Sequence, residues 1–113
     1  LLAGRQLEEY FQGRRRDFDL PLDLRGTAFQ KKVWKALLEI PCGRTVSYGT
    51  IARAIGQPRS CRAVGGANHR NPIAVIIPCH RVIGNDGRLT GYGGGLWRKQ
   101  WLLNHEKKSG TGR

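Results

Sequence analysis

The sequence predicts a mostly α-helical domain with short strands, arranged around a helix-turn-helix unit of winged-helix-like form. Three observations lead there. Apolar residues recur at helical spacing in several separate stretches, the pattern of amphipathic helices that each bury one face. Two of these stretches are separated only by the turn Gly56-Gln57-Pro58, and helix, short Gly-containing turn, helix is the signature of the motif. The one continuous apolar run, residues 73–77, stops at Pro78, as a short buried strand would.

Taken in order, Leu2, Leu7, Tyr10 and Phe11 form a helical stripe that Gly13 ends. The stripe reads as the last helix of something earlier, so residues 1–25 are expected to be the remnant of a preceding domain plus a linker. Phe18, Leu20, Leu22 and Leu24 then alternate with Asp19, Pro21 and Asp23, an extended or strand-like pattern whose apolar face needs a cover. A separate N-terminal domain or fragment is the expected cover. Thr27-Ala-Phe-Gln30 is a capping box, opening a helix to about residue 40 with Phe29, Val33, Ala36, Leu37 and Ile40 on one face. Pro41-Cys42-Gly43 ends it. Ser47 is placed to cap a helix over 48–55, with Ile51, Ala52 and Ile55 inward. Arg59 or Ser60 opens the next, which runs to about residue 68 and carries Arg62, with Arg59, His69 and Arg70 at its ends. Ala63, Gly65, Gly66 and Ala67 leave it with small side chains, and Gly inside a helix is costly. Close approach to another backbone, or to a phosphate backbone, is the expected reason. Gly84-Asn-Asp-Gly87 signals a turn, and Thr90 to Gly95 is a Gly-rich loop without the phosphate-loop pattern. A last helix over 96–106 is expected to pack through Trp97, Trp101, Leu102 and Leu103, with Arg98 and Lys99 outside. Residues 107–113 read as a disordered basic tail.

Composition narrows the function. With 113 residues and 39% hydrophobic content, the chain builds about one small domain that buries roughly two-thirds of its unfolded surface. Twenty Lys+Arg against eight Asp+Glu give a net charge of +12, which points to a polyanionic partner. Nucleic acid is favoured over membrane, because the longest apolar run falls far short of the ~20 residues that span a bilayer. No signal-peptide pattern opens the chain, and a cytoplasmic location is expected. The absence of any Met suggests that Leu1 is not a natural beginning. Cys42, Cys61 and Cys79 form no CxxC pair and are odd in number, which argues against a disulfide framework. His69, His80 and His105 stand at no zinc-finger spacing, so no metal and no cofactor are expected.

The triplet Cys79-His80-Arg81 follows Pro78. A Cys is nucleophilic as thiolate, and a nearby imidazole or cation is the usual way to favour that form. Neighbours on a strand point to opposite faces, however. From the triplet alone, a packed Cys at a strand end beside a surface His is the preferred reading.

Three motifs in one order change the balance. Ile77-Pro-Cys-His-Arg-Val82, with Arg62-Ala-Val-Gly-Gly66 before it and Leu102-Leu-x-x-Glu106 after it, resembles the O6-alkylguanine-DNA alkyltransferases. The resemblance covers residues 26–106, and Gln6-Leu-x-x-Tyr-Phe11 with Phe18-Asp-Leu-Pro-Leu-Asp-Leu24 is similar to the join between the two domains of the bacterial form. It implies a DNA-binding and catalytic domain over 26–106 and a partner in double-stranded DNA containing alkylated guanine. Cys79 is implied as the acceptor of the alkyl group, His80 as the base acting through a water, and Glu106 as the group that orients the imidazole. Tyr48 is implied as donor to the base as charge develops, with the backbone of Tyr92, Gly93 and Gly94 holding that base. Arg62 would fill the stack vacated by a flipped base. Ala63, Gly66 and Ala67 would let the helix enter the minor groove, and Asn71 would tie that helix to the active site. The family's N-terminal domain is missing, and some relatives have Ser at the position of Gly93. The runner-up is an alkyltransferase-like damage sensor that binds without reacting, which in relatives lacks the acceptor Cys.

Overall fold

The structure is a computed structural model that describes residues 2–89 and 95–111, the last three of these by backbone alone. Helix α1 spans Leu2–Phe11 and ends before Gly13, whose φ of 78° closes the chain reversal. Its inward residues are Gln6 and Tyr10, while Leu2 and Phe11 are exposed. Residues 17–24 follow as extended chain with no ladder partner among the described residues. The expected alternation holds: Phe18, Leu20, Leu22 and Leu24 are half-buried and the residues between them exposed. Leu22 and Leu24 pack on this chain's own core, and the ring of Phe18 lies 5.5 Å from that of Tyr10. A groove of about 100 Å³ remains between this segment and Leu38, Ile76 and Pro78.

Helix α2, Ala28–Leu38, starts with the expected capping box: Thr27 accepts from Gln30 N–H, and the Gln30 side chain accepts from Thr27 N–H. Gly26 lets the chain cross close above Trp34, since a Cβ there would lie 2.8 Å from the indole Cη2. Strand β1, Val46–Ser47, leads into α3, Tyr48–Ala54, capped by Ser47. Helix α4, Cys61–His69, completes the helix-turn-helix. Val33, Trp34, Leu37, Ile51, Ala52, Val64 and Ala67 form the core that α2, α3 and α4 share. Trp34 joins two of them by a 2.9 Å hydrogen bond from Nε1 to the Ala67 carbonyl.

The expected strand over 73–77 is not one. Ala74 and Ile77 make a single isolated bridge around a turn at Val75, whose φ is 73°, a left-handed conformation rarely held by a β-branched residue. The cause is Asn71. Its Oδ1 accepts from Ile73 N–H at 2.8 Å and its Nδ2 donates to the Ile77 carbonyl at 2.7 Å. The loop is pinched shut, and of the apolar run only Ile76 and Ile77 are buried, while Ile73 and Val75 are half-buried and Ala74 is exposed. A 3₁₀ turn, Cys79–Arg81, follows, and then strand β2, Val82–Ile83, which pairs parallel to β1 with Val46 opposite Val82. Asn85 in the next turn accepts from Gly49 N–H at 3.0 Å and docks the start of α3.

Helix α5 spans Leu96–Thr111. It therefore continues past residue 106 into the segment expected to be a disordered tail. Lys107 and Lys108 are good helix formers, and positive charge suits a helix C-terminus. Its inward face also differs from expectation. Trp97 is 68% exposed and Trp101 48%, whereas Lys99, Leu102 and Glu106 are buried. Those three stand at i, i+3 and i+7, so a polar residue holds each end of the inward stripe. No helix among the described residues is long and apolar enough to cross a membrane.

Candidate active site

Glu106 is the centre on which the site is built. It is fully buried in α5, and a buried carboxylate is tolerated only when paired and hydrogen-bonded. Three side chains meet that need. Arg81 grips both oxygens, Nε to Oε1 at 2.8 Å and one terminal nitrogen to Oε2 at 2.8 Å. His80 Nε2 lies 2.7 Å from Oε2, and the Tyr10 hydroxyl donates to the same oxygen at 2.5 Å. The remaining terminal nitrogen of Arg81 donates to the Ile40 carbonyl at 2.7 Å, tying the cluster to the end of α2.

These contacts fix the protonation states. Burial alone raises the Glu106 pKa, but the bonds from His80 and Arg81 outweigh it and hold the carboxyl well below the usual carboxylate range. Burial lowers the His80 pKa, and its bond to Glu106 only partly offsets this. His80 is therefore neutral beside an ionised carboxylate. The carboxylate accepts, so Nε2 carries the proton and Nδ1 keeps its lone pair. That Nδ1 is buried and has no hydrogen-bond partner among the described residues. It is a base with its other nitrogen anchored, the arrangement that activates a nearby nucleophile.

Cys79 precedes His80 in the 3₁₀ turn and is 5% exposed. Its N–H donates to the Ile77 carbonyl at 2.8 Å, and its own carbonyl accepts from Asn68 Nδ2 at 3.4 Å. Asn68 lies on α4, and Asn71 just beyond it holds the loop that ends at Cys79. The backbone of Cys79 is thus bonded to the helix-turn-helix. Lys99, also buried, donates from Nζ to the Val82 carbonyl at 2.5 Å. Burial lowers its pKa, and the charge of a Cys79 thiolate opposes that shift.

The other expected residues fall in two groups. Tyr48 opens α3, half-buried against the core and close to α4, where a Cβ on Gly65 would lie 3.9 Å from its ring. Arg62, Ala63 and Gly66 are exposed on α4. Ala67, expected on that same face, is instead 3% exposed. Trp34 covers it, so it seats the helix and is not available for contact. Tyr92, Gly93 and Gly94 lie outside the described residues. The sequence reading missed Tyr10 and Lys99 as parts of the site, and named Arg81 in the triplet without its role of holding Glu106. Lys99 stood at i−7 from Glu106, a spacing that puts both on one helix face. Tyr10 carried no such signal, because its ring alone explained its place in the apolar stripe.

Comparison with known proteins identifies the family to which the chain is similar. The family model described as "6-O-methylguanine DNA methyltransferase, DNA binding domain" matches residues 28–108, and that described as "6-O-methylguanine DNA methyltransferase, ribonuclease-like domain" matches residues 3–24. A methylated-DNA–protein-cysteine methyltransferase of Methanosarcina barkeri is 62% identical over 95% of this chain and 68% of its own length. One of Mycobacterium tuberculosis is 64% identical over 90% of this chain and 62% of its own length. The crystal structure of Mycobacterium tuberculosis OGT in complex with DNA superposes with a TM-score of 0.93 at 62% identity, covering 95% of this chain and 66% of that one. The chain thus spans about two-thirds of the length of these relatives. On the match of residues 28–108 and on this level of identity, the chain belongs to the 6-O-methylguanine DNA methyltransferase family.

Proposed function

We propose that this chain repairs DNA directly by moving an alkyl group from O6 of guanine to Cys79. The observation that carries the reading is the neutral His80, anchored on ionised Glu106 and directly following the buried Cys79. His80 Nδ1 takes the thiol proton through a water, and the thiolate attacks the alkyl carbon. The carbon–O6 bond breaks, its electron pair stays on the oxygen, and Tyr48 donates to the base as that charge appears. Lys99 adds positive charge near the sulfur. The product is a thioether, which no group of this site can displace, so each molecule reacts once.

The duplex is held by α4. Arg62 is exposed and replaces the flipped base in the stack, and Ala63 and Gly66 leave the helix surface low. A Cβ on Gly66 would meet nothing within 4 Å, so packing in this chain gives no reason for that costly glycine, whereas a helix pressed into a narrow groove does. Asn71 ties the binding helix to the active-site loop. The protein acts where chromosomal DNA is, in the cytoplasm of a bacterial cell. A sensor that binds without reacting needs the acceptor replaced, and Cys79 is present.

The test is to mix the protein with excess duplex carrying O6-methylguanine and follow mass and time course. The expected result is a burst of about one equivalent, one methyl on Cys79, and no reaction in Cys79→Ala, which still binds DNA. Sustained turnover, or alkylation of Cys42 or Cys61, would overturn the mechanism. Arg62→Ala should slow repair of duplex more than reaction with free alkylguanine; equal slowing would remove the flipping role.

A further inference from the structure

Tyr10 lies in the segment matched by the ribonuclease-like domain, whereas His80 and Glu106 lie in the segment matched by the DNA-binding domain. Its hydroxyl nevertheless crosses from one segment to the other and donates to Glu106 Oε2 at 2.5 Å. The contact is built, not incidental. Tyr10 is 1% exposed, and its ring is held at 5.2 Å from Phe11, 5.5 Å from Phe18 and 5.2 Å from His105. The His105 ring nitrogen Nε2 lies 2.6 Å from the Tyr10 carbonyl, so α5 grips the backbone of the residue whose side chain grips α5. Burial and the bond to Glu106 push the phenol far above its ordinary range, so it remains a donor at any pH where the site works.

Oε2 therefore receives three donors, from Tyr10, His80 and Arg81. Donors on one oxygen compete for the same charge, and each weakens what the others gain. We propose that Tyr10 is a positioning residue for alkyl transfer: it fixes the Glu106 carboxylate against His80 and draws off part of the charge that would otherwise hold His80 protonated. This rests on the alkyl-transfer reading. The titratable and charged groups around His80 are Glu106 and Lys99 on α5 and Cys79 and Arg81 on its own turn, with Tyr10 on α1 and Cys42 after α2 facing Glu106 and Arg81. Of these, Tyr10 is the one that brings a neutral donor from outside the segment matched by the DNA-binding domain.

Tyr10→Phe keeps the ring and removes the donor. Without it, Oε2 interacts more strongly with His80, the imidazolium is favoured, and the base is lost at a higher pH. The experiment measures the single-turnover rate of the intact chain on O6-methylguanine duplex across pH, together with the NMR titration of the His80 ring. Expected for Tyr10→Phe is an acid limb moved to higher pH, a rate about three- to tenfold lower at its foot, and a His80 titration moved the same way. Phe11→Leu, which disturbs the same aromatic cluster without touching Glu106, should move neither. If the wild type fails to react, the alkyl-transfer reading falls, while the His80 titration still judges Tyr10. If the wild type reacts and Tyr10→Phe overlays it in both readouts, the inference is overturned. A uniform loss of rate with an unmoved profile, or the same shift in Phe11→Leu, reveals mere packing and overturns it too.

Discussion

The cluster around Glu106 and the outer face of α4 treat charge in opposite ways. In the first, a buried carboxylate, a guanidinium, an imidazole and a phenol satisfy one another within 2.5–2.8 Å. In the second, Arg62, with Arg59 and Arg70 just beyond the ends of the helix, is exposed, and none of the three makes a side-chain hydrogen bond or ion pair among the described residues. Positive charge is thus left unmatched on the face proposed to dock DNA and is matched where Arg81 meets Glu106. Stability should depend on the first region and hardly on the second. DNA affinity should do the reverse.

The largest expected effect comes from breaking the cluster. Glu106→Ala leaves the Arg81 guanidinium buried without its partner, and should cost about 3–5 kcal/mol in a denaturant melt. Acid tests the same region without mutation. The folded pKa of Glu106 is depressed, so its contribution is present above the ordinary carboxylate value of about 4.3 and is lost as pH falls through the folded value. His80 is held neutral with a lowered pKa, so the unfolded chain takes up that proton first and stability begins to fall once pH drops below about 6.5. Both signs agree: the protein loses stability on acidification. His80→Gln should flatten the upper part of that curve, which a pH series of melts would show; an unchanged upper limb contradicts the assignment.

Trp34→Phe strikes the seat of α4 and should cost about 1–3 kcal/mol through the lost bond to Ala67 and lost packing. DNA affinity should fall with it, measured against the same melts. Gly66→Ala should separate the two regions by sign. An alanine there meets open space and favours the helix, so stability should rise by up to about 1 kcal/mol, while DNA binding weakens because the near face is raised. Smallest is Arg62→Ala, expected to leave stability within about 0.5 kcal/mol. A larger loss would mean that α4 is not the independent outer face described.

How much of this was legible in the sequence follows the same division. Caps and helices were readable because their causes are local: Thr27 with Gln30, Ser47 with Thr50, and the small-residue turn between α3 and α4. The acceptor segment was readable as chemistry but not as shape, since the apolar run 73–77 has the composition of a strand while its conformation is imposed by the Asn71 side chain. On α5 hydrophobicity misled. It sent Trp97 and Trp101 inward and Lys99 outward, yet the buried stripe is selected by what Val82 and the His80–Glu106 pair require. Ala67 was misplaced because small size suits both a groove and a tight core contact. Tyr10 was invisible as a site residue because a hydrogen bond spanning 96 positions leaves no periodic trace.

The clasp around Asn71 has a consequence for how this stretch can vary in length. Surface loops ordinarily tolerate inserted and deleted residues. Here the spacing is metered at both ends: Asn68 reaches the Cys79 carbonyl eleven positions on, Asn71 reaches Ile77 six positions on, and Val75 already occupies a left-handed turn that leaves no slack. One residue more or fewer between Asn68 and Cys79 would shift the register of every bond in the clasp and displace Cys79 from its place beside α4. This loop should admit many changes of side chain and no change of length.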